Sequence, residues 1–107
     1  MMTPAELLEL DPGIRDVVAE LQAAGFNTTD SGDGVTKLLA GGWDPDEVLD
    51  MAHVISQTDA DNATTEARRL QSIVEANAWD ARVELSWSPS DDVWILALWF
   101  ARPRVVA

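Results

Sequence analysis

No cysteine occurs among the 107 residues, which excludes disulfides, thiolate metal sites and a cysteine nucleophile. Histidine is almost as scarce. His53 is the only one, so a histidine-based transition-metal site or a Ser-His-Asp triad has little to stand on. His53 is left as a lone acid–base group or, the expected role, a packed structural side chain. Positive charge is thin too: seven bases face nineteen acids, and Lys37 is the only lysine. Long apolar runs are missing. Val93 to Phe100 is apolar throughout but far short of the roughly 20 residues that span a bilayer. Met1-Met2-Thr3-Pro4-Ala5-Glu6 lacks the basic start and apolar stretch of a signal peptide. A cytoplasmic location is therefore expected.

What is present is acid. A net charge of −12 on 11.7 kDa repels nucleic acid and anionic lipid and attracts basic surfaces. Neither direct nucleic-acid binding nor membrane binding is expected. Hydrophobic residues make up 47 %, enough for one core without staples, and the length is near the commonest domain size. The expected organisation is one domain over 1–102 with a loose C-terminal tail at 103–107.

Helix signals come first. Thr3-Pro4-Ala5-Glu6 has capping-box spacing with proline at the first helical position, starting a short turn. Asp11-Pro12-Gly13 restarts it with a fresh cap. Ile14, Val17, Val18 and Leu21 then form one apolar stripe, and Gly25 is suited to a left-handed helix end. Phe26 to Asp30 reads as a strand breaking into a tight turn at Ser31-Gly32-Asp33-Gly34. Val35 to Leu39 reads as a short extended piece and Ala40-Gly41-Gly42 as a break. Asp44-Pro45-Asp46-Glu47 starts a helical turn over 45–51, followed by a strand over 53–57. Asp59 to Asn62 caps a second long helix whose stripe is Ala63, Ala67, Leu70, Ile73 and Val74. It ends near Asn77-Ala78, with Trp79 folding back.

The last two strands are Asp80 to Trp87 and Val93 to Phe100. A five-residue loop at 88–92 pairs Trp87 with Val93, Leu85 with Ile95 and Val83 with Ala97, giving the face that the helices cover. Trp94, Leu96, Leu98 and Phe100 then form a second apolar face, covered either by 38–51 or by another molecule. A homodimer through these four residues is the simplest version of the latter. The order α-β-β-α-β-β predicts an α+β two-layer sandwich, with helices on one face of a mostly antiparallel sheet.

Two stretches are site-like. From residue 30 to 61 there are eight acids against Lys37. Asp44, Asp46, Glu47, Asp50, Asp59 and Asp61 line up negative charge that a basic, nucleic-acid-binding protein would meet; the plain alternative is a solvated face with helix-start acids. Thr29, Asp30, Ser31, Gly32, Asp33 and Gly34 form the second. Their glycines can turn N–H groups toward an anion such as a nucleotide phosphate, and their carboxylates can hold a cation. The stretch matches neither the EF-hand nor the phosphate-loop pattern, and an ordinary turn uses the same residues. No catalytic constellation, metal site or cofactor is expected.

The stretch Leu21-Gln22-Ala23-Ala24-Gly25-Phe26-Asn27-Thr28-Thr29-Asp30-Ser31-Gly32-Asp33-Gly34 resembles small proteins of bacteriophages and prophages. In these a helix ends in Gly-aromatic and runs into a Thr-Asp-Ser-Gly-Asp-Gly turn. The resemblance implies an accessory or counter-defence role, in which an acidic protein occupies a host protein's nucleic-acid site. A structural or assembly subunit oligomerising through the C-terminal hairpin is the further alternative.

Overall fold

The computed structural model describes residues 4–34 and 52–104. Helix α1 (Pro4–Leu8) leads into a 3₁₀ turn (Pro12–Ile14) and helix α2 (Arg15–Ala23). Strands β1 (Asn27–Gly32) and β2 (His53–Thr58) follow, then helix α3 (Ala63–Ala76) and strands β3 (Ala81–Ser88) and β4 (Val93–Phe100). The class is α+β, as the sequence pattern predicts. The expected extended piece at 35–39, the break at 40–42 and the helical turn at 45–51 lie outside the described residues.

Both long helices sit where their apolar stripes put them. Ile14, Val17, Val18 and Leu21 are buried, as are Ala63, Leu70 and Val74; Ala67 and Ile73 pack against the same core. Each helix closes by the same device. At the end of α2 the Phe26 N–H reaches the Leu21 carbonyl (3.0 Å) while Gly25 takes φ +90°. At the end of α3 the Trp79 N–H reaches the Val74 carbonyl (3.1 Å) and Ala78 takes φ +53°. Both are Schellman closures, the second made without glycine. Trp79 does fold back, edge-on to Phe100 at 5.9 Å between ring centres. Arg69 of α3 donates to the Ala24 carbonyl at the end of α2 and lies over the Phe26 ring at 4.9 Å, so it stitches the two helices together.

The antiparallel sheet runs β1-β2-β4-β3. Its β3–β4 register differs by one residue from the sequence expectation. Trp87 pairs with Trp94, Leu85 with Leu96 and Val83 with Leu98. The loop is one residue shorter than expected, because Ser88 still pairs with Val93. Asp92 makes that possible by entering the left-handed region at φ +54°, and Ser88 Oγ donates to Asp91 Oδ2 at 3.2 Å across the turn. A one-residue slip exchanges the faces of a strand. Leu96 (1 % exposed), Leu98 (0 %) and Phe100 (3 %) therefore lie in the core beneath the helices, together with Val54. The expected interface of Trp94, Leu96, Leu98 and Phe100 is thus mostly the chain's own interior and is not open to a second copy. Ile95, Ala97 and Trp99 take the other face, across from Ser86, Glu84 and Arg82.

The chain's end is also tied down further than expected. Arg104 donates its backbone N–H to the Asp33 carbonyl (2.8 Å), its Nε to the Gly13 carbonyl (2.9 Å) and its Nη2 to Asp16 (2.8 Å), with its guanidinium 4.7 Å above the Phe100 ring. A loose tail from 103 onward is therefore wrong at Arg104. Residues 105–107 lie outside the described part.

Candidate functional site

The strongest site candidate lies at one end of the sheet, where β2 ends and the β3–β4 turn begins. Thr58 pairs with Trp94, so the residues after Thr58 come beside that turn. A groove of about 400 Å3 opens there, with Thr58, Asp59, Ala60, Trp87, Asp92 and Val93 around it. Trp87 is 45 % exposed, and its ring is supported by Trp94 at 5.6 Å with a 58° tilt. A tilted aromatic pair at this spacing is a favourable contact that holds the ring in place.

The acids at this end are held by their own turns. Asp59 accepts the Asn62 backbone N–H (2.9 Å) and both of its oxygens accept the Asn62 side-chain amide (2.8 and 3.0 Å). This turn, rather than a side-chain cap from Asn62, starts α3. Neutral donors fix the carboxylate's direction without neutralising it. Asp61, Asp91 and Asp92 are exposed, and no Arg or Lys of the described residues lines the groove. Of the sequence-predicted acids, Asp59 and Asp61 fall at this end; Asp44, Asp46, Glu47 and Asp50 lie outside the described residues. Sequence reasoning missed Trp87 and Asp92 as neighbours of Asp59. The adjacency of Trp87 to an acidic turn was visible, but joining it to Asp59 required the strand pairing.

The stretch 28–34 is divided among other tasks. It is strand through Gly32 rather than a turn from Ser31, with an irregularity in the pairing between Thr28 and Asp30. Asp33, 3 % exposed, accepts the Gly13 backbone N–H (3.3 Å), while its own N–H donates to Asp11 Oδ2 (3.3 Å). Asp11 thus reaches across to the end of β1 instead of capping its own helix. Thr29 and Asp30 are exposed and Ser31 is half-buried. Gly32 lies against the His53 ring, where a Cβ would stand 2.9 Å from Cε1. The pocket beside Thr28, Thr29, Asp30 and Ser31 holds about 180 Å3, below the ~300 Å3 from which small-molecule sites usually begin.

His53 stands on the strand face away from the helices, opposite Trp99. Its side chain is 12 % exposed, its Nε2 is 3.5 Å from Asp30 Oδ2, and its ring is 5.6 Å from that of Trp99. Among the described residues no group of three or more His, Asp or Glu is arranged to hold a metal ion, and no helix is long and apolar enough to cross a membrane. Comparison with protein-family models, with curated proteins and with solved structures finds no match.

Proposed function

We propose that the chain is a non-enzymatic, acidic accessory protein of the phage type. It binds a basic, nucleic-acid-binding host protein and inhibits it by occupying the surface that would meet phosphate, counter-defence being the setting. The observation that carries this reading is the gathering of Asp59, Asp61, Asp91 and Asp92 at one end of the sheet, in a protein of net charge −12. Carboxylates displayed from turns on a firm sheet can imitate a line of phosphates to a basic groove, and their attraction is long-range and salt-sensitive. Asp44, Asp46, Glu47 and Asp50, outside the described residues, are partner-binding acids as well in this reading. The helices and the sheet form a two-layer sandwich that serves as a rigid mount for the acids at the end of the sheet.

Calorimetric titration against purified basic nucleic-acid-binding proteins tests the reading. Binding should compete with duplex DNA and weaken by an order of magnitude or more between about 50 and about 200 mM salt. It should also weaken in the double variant Asp59→Asn/Asp61→Asn. An affinity indifferent to salt and to both substitutions would refute the proposal.

A further inference from the structure

Twice within this fold an arginine is held by the same pair of groups, one aromatic face and one carboxylate. Arg69 lies over Phe26 at 4.9 Å and reaches Glu66 at 3.0 Å. Arg104 lies over Phe100 at 4.7 Å and reaches Asp16 at 2.8 Å. The groove at the end of the sheet presents the same pair without an arginine from the described chain: the open Trp87 ring, with Asp59 and Asp92 on its rim. We propose that this groove receives a guanidinium side chain of the partner, so that one arginine anchors the complex here. The inference rests on the reading of the protein as a binder of a basic partner and deepens it.

The chemistry selects arginine over lysine. A guanidinium is planar, weakly hydrated and able to stack on an indole while its N–H groups fork toward two carboxylates. An ammonium is a compact, strongly hydrated point charge that gains less from a flat ring. The groove offers one ring and two carboxylates from separate turns, with Val93 and Ala60 supplying apolar wall for the side-chain stem. About 400 Å3 is ample for one such side chain and its flanking backbone. Asp59 is already fixed by Asn62, so little ordering remains to be done on binding.

The test uses fluorescently labelled hexa-arginine and hexa-lysine, titrated by anisotropy against the full chain at about 0.1 M salt, where charge pairs beyond ~10 Å are screened. Hexa-arginine should bind more tightly than hexa-lysine. Trp87→Ala should weaken hexa-arginine roughly five- to tenfold, Trp87→Phe less, and Asp59→Asn/Asp92→Asn roughly tenfold. Asparagine tolerates the left-handed backbone at 92, so that variant keeps its turn. The charge-matched control Glu20→Gln/Glu75→Gln, on exposed helix positions, should stay within about twofold. If Trp87→Ala and Trp87→Phe bind both peptides like the parent while the Asp59/Asp92 variant loses affinity, the groove inference falls and the basic-partner reading stands. If neither peptide binds, or all variants behave alike, both fall. A parent that sediments as a dimer dissolved by Trp87→Ala would make a second copy the occupant and overturn the proposal.

Discussion

Trp87 and Trp94 face each other across the β3–β4 hairpin, ring centres 5.6 Å apart, at the mouth of a groove edged by Asp59 and Asp92. The pair adds a tilted cross-strand aromatic contact to the hairpin and leaves Trp87 partly exposed. Because Trp87 is 45 % exposed, Trp87→Ala should lower stability by only about 1 kcal/mol. Urea denaturation followed by far-ultraviolet circular dichroism checks this. A loss of several kcal/mol would mean that the ring serves the core rather than a surface.

The register of that hairpin decides which side chains are interior. Leu98→Ala should cost about 2–5 kcal/mol, since Leu98 is fully buried under the helices. Ile95→Ala, on the half-buried opposite face, should cost clearly less. The reverse order would restore the pairing of Trp87 with Val93.

How much of this was legible in the chain follows from where each signal resides. The stripes of α2 and α3 are local, and their residues are buried as the periodicity predicts. Gly25 announced its left-handed turn, and 53–57 resolved correctly as a strand. The β4 run is apolar at every position, so it carries no alternation to fix its phase. Its phase was set instead by Asp92 adopting φ +54°, a choice the sequence does not advertise. Of the site, Asp59 and Asp61 were legible as part of an acidic stretch. Trp87, Asp91 and Asp92 join them only through the pairing of Thr58 with Trp94.

The Arg104 clamp was unreadable for a similar reason, since it spans 91 positions to Gly13. Arg104→Ala should cost about 1–3 kcal/mol through the lost Gly13 hydrogen bond and the Phe100 stacking. Arg104→Lys should recover only part of it. Asp16→Asn should cost under about 0.5 kcal/mol, because that carboxylate is largely exposed. Thermal denaturation of the three variants gives the order directly.

Gly13 is held to glycine by the same clamp. A Cβ there would stand 1.9 Å from the Arg104 carbonyl oxygen and 2.8 Å from Asp33 Cβ, and the first of these is backbone that cannot swing aside. Gly13→Ala should therefore destabilise by roughly 1–3 kcal/mol, measured by urea denaturation. A neutral effect would show that the chain's end does not pack against this turn.

Ala78 offers a gain. It closes α3 in the left-handed region at φ +53°, where a Cβ is unfavourable by about 1–2 kcal/mol. Ala78→Gly should stabilise by about 0.5–1 kcal/mol after the greater freedom of glycine in the unfolded chain is allowed for, raising Tm by roughly 2–6 °C. Calorimetry would show the rise, and a lower Tm would contradict the Schellman closure.

The central claim, that the acidic groove is where the protein meets its partner, is tested most directly by mapping backbone amide shifts in two-dimensional NMR as hexa-arginine is added. Shifts should concentrate at residues 58–61 and 87–93. Shifts concentrated instead at 28–34, with 58–61 and 87–93 unmoved, would contradict it.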